Sequence, residues 1–136
     1  MMYNYNTMAS LYEPSTFGSD PAIVKWQVVR GDTAEIRIEF YEPDEATAFD
    51  TSGWTYIASA YDPRLDTIDE LEVTPGDGFV VVTASAETTK LWGAGYGSVI
   101  AELLFDLQVT KQGGTIWTPV LGTIVVLGDV TYGGSL

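Results

Sequence analysis

Between Gly97 and Thr131, apolar and polar residues alternate with a two-residue period over two long runs that meet around Gly113 and Gly114. In the first run Val99, Ala101, Leu103, Phe105, Leu107 and Val109 share one face, and Ser98, Glu102, Asp106, Gln108 and Thr110 take the other. Ile100 and Leu104 are apolar exceptions on that second face. Such alternation predicts a strand with one side in a core and the other largely in water. The period recurs upstream. Residues 22–29 predict a first strand, closed by Arg30, Gly31 and Asp32. Residues 33–40 predict a second, with Ala34, Ile36, Ile38 and Phe40 inward and Glu35, Arg37 and Glu39 outward. Residues 54–61, 70–74 and 79–83 predict three more, and Pro75, Gly76, Asp77 and Gly78 mark the turn before the last of them. Residues 42–53 and 62–67 read as loops, and residues 115–119 and 121–131 complete the sheet.

One segment favours a helix. Over residues 85–92, Ser85 suits the N-cap, Glu87 and Thr88 the first turn, and Gly93 the stop. Residues 1–21 follow neither period, yet they carry Tyr3, Tyr5, Leu11, Tyr12 and Phe17. A segment without a patterned face gains too little burial to offset its ordering entropy alone, so it is expected as an extended arm lying on something, by preference a neighbouring subunit. Those five side chains are the expected interface residues. The division is then an extended arm over 1–21, a β-domain over 22–132 and a short tail over 133–136. Eight or so strands with turns at short intervals predict an all-β, antiparallel sandwich or barrel with one short helix.

Composition narrows the chemistry. The 136 residues are 46% hydrophobic, enough for one domain with a true core. Cysteine and histidine are both absent, which removes disulfides, thiolate metal sites and the commonest general base. A non-enzymatic protein without cofactor or metal is therefore expected. The net charge of −13, from 19 acidic and 6 basic residues, opposes binding to nucleic-acid phosphates and to anionic membranes. It suits either solubility or docking onto a more basic partner. No apolar run reaches the about 20 residues that span a bilayer, and the first ten residues lack the basic and apolar regions of a secretory signal, so synthesis in the cytoplasm is expected.

Several constellations have both a chemical and a plain reading. Arg30-Gly31-Asp32 matches an adhesion tripeptide, but a turn between strands needs a glycine and an aspartate in such a place. Asp62, Asp66, Asp69, Glu70 and Glu72 offer oxygen ligands without the spacing of a calcium-binding loop, and solvated acids are the plain reading. Glu102 with Asp106, and Glu35 with Glu39, share strand faces as a glycosidase pair would, although solubility asks for the same pattern. Trp26, Trp54, Trp92 and Trp117 would suit a carbohydrate-binding module for a host surface glycan, the alternative function, with two or three of them exposed on one flat face; otherwise they are core.

The order of short motifs adds a resemblance. Arg30-Gly31-Asp32-Thr33 precedes residues 36–40; residues 50–55, reading Asp-Thr-Ser-Gly-Trp-Thr, open the next strand; residues 85–96 lead into Phe105-Asp106-Leu107; and residues 121–131 close the chain. This series, over roughly residues 24–131, resembles the small immunoglobulin-like β-sandwich of tailed-bacteriophage virion proteins, the baseplate upper-protein N-terminal domain and its LtfC-like long-tail-fibre relatives. The resemblance implies a non-catalytic structural protein located in the virion and assembled in the host cytoplasm. Its implied partners are other virion structural proteins of capsid or tail, and it is expected to be a homo-oligomer within a symmetric assembly. No fibre or receptor-binding region follows the sandwich in this sequence, so a tail, baseplate or neck adaptor, or a capsid decoration subunit, is the expected role.

Overall fold

A computed structural model describes residues 7–11, by the course of their backbone, and residues 21–41, 50–93 and 100–128. Its strands are β1 (Thr7–Leu11), β2 (Ala22–Val29), β3 (Ala34–Phe40), β4 (Thr55–Asp62), β5 (Thr67–Gly76), β6 (Phe79–Ala84), β7 (Ile100–Thr110) and β8 (Ile116–Leu127). One short helix, α1 (Ala86–Leu91), lies between β6 and β7. The fold is all-β, and the two-residue period names its core. Ile36, Ile38 and Phe40 of β3 are buried, as are Ala101, Leu103, Phe105, Leu107 and Val109 of β7. Aromatic rings tie the interior together edge to face, Trp26 against Phe105 at 5.4 Å and Trp54 against Trp117 at 6.2 Å between centroids.

The strands follow the order β1-β3-β6-β5-β4-β7-β8-β2. Strand β5 serves both halves: Thr67–Leu71 pair with β4, and Glu72–Gly76 pair with β6. The end strands β1 and β2 approach one another. One continuous sheet therefore curls round the core, closer to a barrel than to the two separate layers of a plain immunoglobulin-like sandwich. The antiparallel expectation is also corrected, because β1 runs parallel to β3 and β2 parallel to β8. A half-buried strand alternates whichever way its neighbour runs, so periodicity cannot report direction.

Two further details depart from the sequence reading. Residues 115–119 and 121–131 were expected as separate pieces, but β8 continues through Pro119. The register with β7 slips between Leu107 and Val109: Leu107 faces Val120, Val109 faces Trp117, and Thr118 and Pro119 share the gap. A bulge is where a residue without an N–H can sit inside a ladder. The second departure is β1, for which no strand was expected. It pairs from Thr7 opposite Ile36 to Leu11 opposite Phe40, so this part of the arm lies on its own chain. The remainder of the arm, and the 133–136 tail, lie outside the described residues.

The hairpin between β7 and β8 turns at Gly113 (φ 104°) and Gly114 (φ 99°), conformations that side-chain-bearing residues rarely adopt. The helix has the predicted cap, with the Ser85 hydroxyl accepting from the Thr88 amide at 3.2 Å. It ends at Leu91 with Trp92 as C-cap, and Gly93, with a φ of 72°, follows in the left-handed region.

Candidate functional site

The constellations of the sequence are absorbed by the fold one after another. Arg30 is buried at 4% exposure, and its Nε donates to the Trp92 carbonyl at 2.7 Å. Gly31 N–H donates to Thr89 Oγ1 at 3.0 Å, and that hydroxyl donates to the Asp32 carbonyl at 2.7 Å. The Arg-Gly-Asp turn thus docks α1 onto the sheet and has no free arginine to offer an adhesion receptor. Gly93 belongs to the same junction: a Cβ there would stand 2.8 Å from Arg30 Nη2 and 2.6 Å from the Ala101 Cβ.

The acidic loop is equally occupied. Asp62 is buried, and its Oδ1 accepts from the Arg64 and Leu65 amides at 2.9 and 3.3 Å, an Asx turn between β4 and β5. Asp66 sits in the left-handed region (φ 55°) and accepts from the Tyr61 hydroxyl at 3.0 Å. That hydrogen bond raises the Tyr61 phenol above its ordinary pKa. Asp69 accepts from the Trp92 indole at 2.9 Å. Among the described residues no group of acids converges on a metal position.

The carboxylate pairs separate by environment. Glu39 is held by Tyr41 Oη at 2.6 Å and Arg37 Nε at 2.8 Å. The Tyr41 hydrogen bond first, then the Arg37 one, lowers its pKa, the opposite of what a general acid needs. Arg37 in turn stacks 3.7 Å above the Phe79 ring, and that ring covers Gly76, where a Cβ would meet it at 2.2 Å. Asp106 is half-buried, and desolvation raises its pKa. Its strand-mate Glu102 lies four residues away, about 13 Å along an extended chain. Glycosidase carboxylates stand about 5–9.5 Å apart. The tryptophans form no platform: Trp26, Trp92 and Trp117 are buried, and half-buried Trp54 packs on Phe40 at 5.5 Å.

What the fold leaves over is the outer face of the half formed by β5, β4, β7, β8 and β2. Ile68 pairs with Tyr61, and Tyr61 with Leu104. In the next row Ser59 pairs with Asp106, Asp106 with Leu121, and Leu121 with Ile23. Ile68 is 69% exposed, Leu104 53%, Leu121 40% and Ile23 76%, so four large apolar side chains face water on one sheet surface. Tyr61, Ile68, Leu104, Asp106 and Leu121 line a groove of ≈ 550 Å³ there. Sheet strands stand about 4.8 Å apart, so the five-stranded face spans about 19 Å.

The sequence carried one signal for this face, the apolar exceptions Ile100 and Leu104 on the outer side of β7. The other members were invisible because only register sets Ile68, Leu104 and Leu121 side by side. Of the expected interface residues, Tyr3, Tyr5, Tyr12 and Phe17 lie outside the described residues. Leu11 ends β1 opposite Phe40.

No protein-family model matches the chain, and no curated protein matches it in sequence. Among solved structures, the N-terminal domain of phage TP901-1 ORF48 aligns at a TM-score of 0.40 and 13% identity, over 91% of this chain and 98% of that one. The bradyzoite-specific antigen BSR4 of Toxoplasma gondii aligns at a TM-score of 0.39 and 10% identity, over 93% of this chain and 50% of that one. Neither likeness bears on function.

Proposed function

We propose that this chain is a non-catalytic structural subunit of a tailed-phage virion, a tail, baseplate or neck adaptor or a capsid decoration protein. It holds neighbouring virion proteins through the outer face of β5-β4-β7-β8-β2, and the aromatic arm of residues 1–21 adds contacts to a neighbour or to its own domain. The observation that carries the reading is the set of exposed apolar side chains Ile68, Leu104, Leu121 and Ile23, spread over two adjacent rows of one sheet face. Fully covering a side chain of this size contributes about 1.5–3 kcal/mol, and these are already partly covered, so about 1–2 kcal/mol each is available. Repetition round a symmetric assembly turns such modest contacts into avidity. The ordered motif series and its resemblance to phage virion sandwiches support the choice of assembly. Three buried tryptophans, and a fourth half-buried against Phe40, speak against the glycan-binding alternative.

Particles assembled with Ile68→Glu or Leu104→Glu chains provide the test. The purified variants should keep the wild-type β-sheet circular dichroism, because both positions face solvent. Purified particles should lack them. Incorporation of both folded variants at the wild-type level would remove this face from the assembly and with it the reading.

A further inference from the structure

The outer face sets apolar side chains beside carboxylates. Asp106 stands inside the groove, Glu70 follows on the same row through Ser59, and Glu102 is the next outward carboxylate of β7. Among the described strand residues of this face, the base is Lys25 of β2, set on the row of Leu104 through Thr123. Asp106 forms no ion pair among the described residues. A half-buried carboxylate without a counter-charge bears a desolvation cost that a cation from outside would offset. Burial raises its pKa for the same reason.

We propose that the groove receives a basic-apolar protein segment, which seats a lysine or arginine against Asp106 and lays apolar side chains over Ile68, Leu104 and Leu121. This deepens the proposed function, on which it rests, by assigning the chemistry of the partner. Charge selects among occupants. A second copy would bring another −13 chain and a second set of carboxylates to the same face, so self-association through it is opposed. An anionic membrane is opposed likewise. A cationic, apolar strand or loop is complementary on both counts. A stretch of about six extended residues is long enough to cross the about 19 Å of the face.

The test uses the full chain, methyl-labelled for NMR, titrated with two synthetic peptides of about nine residues. One alternates lysine with valine and the other alternates glutamate with valine. The lysine peptide should shift the methyl signals of Ile68, Leu104 and Leu121 and leave those of buried Val82 and Ile124 in place. The glutamate peptide should bind at least about tenfold more weakly, and Asp106→Asn should cost the lysine peptide about tenfold, the weight of a charge-assisted contact at a partly desolvated site. Glu70→Gln, at the rim, should cost about threefold or less. Equal affinity for the two peptides, or no effect of Asp106→Asn, overturns the proposal. So does the absence of shifts at about 1 mM of either peptide. Methyl shifts that follow dilution of the chain alone would assign the groove to a second copy, and shifts induced by phosphatidylcholine vesicles but by neither peptide would assign it to a membrane; both overturn the proposal. These readings involve no particle, so their failure is distinct from a failure of the incorporation experiment.

Discussion

Replacing Thr89 by valine isolates the polar joint between α1 and the sheet. Valine keeps the shape of threonine, so the fully buried site stays filled and the change is confined to the hydroxyl. Its two shorter hydrogen bonds go with it, the 3.0 Å bond from Gly31 N–H and the 2.7 Å bond to the Asp32 carbonyl, along with a 3.3 Å bond to the Ala86 carbonyl. Each is worth about 1 kcal/mol net, and stranding a buried partner costs about 1–3 kcal/mol more. Gly31 and Asp32 are exposed as residues, so water recovers part of that second cost. The expected loss is about 2–3 kcal/mol, a fall in Tm of roughly 6–12 °C for a domain of this size. Thr89→Ser keeps the hydroxyl and gives up one methyl, for about 1 kcal/mol. Urea unfolding followed by tryptophan fluorescence reads the difference, since Trp92 adjoins the joint; a lower midpoint at unchanged slope confirms a stability effect. A Thr89→Val variant within about 0.5 kcal/mol of wild type, or a serine variant as damaged as the valine one, would refute the role given to the hydroxyl.

Two other perturbations have definite signs. A Cβ at Gly122 would stand 2.2 Å from the Val24 carbonyl oxygen across the parallel β2–β8 pair, so Gly122→Ala should push β2 away. The expected cost is about 2 kcal/mol or more by thermal unfolding, with faster amide exchange along β2. Asp106 carries a folded pKa raised above its ordinary 3.8 by burial. The native state therefore holds the proton more tightly, and stability falls as pH rises from about 3.8 through the folded pKa. Asp106→Asn should accordingly raise Tm at pH 7, and the gain should vanish below pH 3.8; a variant less stable at pH 7 would reverse the sign and the cause.

Alternation along the chain placed the strands well where one face is buried. Residues 22–29 are β2 with the predicted bounds, and the buried positions of β3 and β7 are those the two-residue period selects. The helix was legible because Ser85 and Gly93 act locally, through a cap and a left-handed stop. Strand β1 was not, because five residues pairing at a sheet end need no alternation to hydrogen-bond through their backbone. Nor was the inward turn of Arg30, whose partner carbonyl lies 62 residues away in sequence. For Asp62 and Asp66 the plain reading of solvated acids was only part of the answer: their partners, the Arg64 and Leu65 amides and the Tyr61 hydroxyl, are close in sequence, but the spacing of acids alone does not show an Asx turn or a hydroxyl contact.

The candidate site divides along the same line. The all-β class, the inward set of each long strand and the lack of cysteine and histidine were legible in the chain alone, because composition and a two-residue period are local properties. The parallel pairings, the division of β5 between β4 and β6 and the register that brings Ile68, Leu104, Asp106 and Leu121 together arise only when the strands assemble. A one-residue slip of any one of these strands would send its own side chains to the other face. Register is fixed by the summed packing of strands far apart in the chain, and no single segment encodes it.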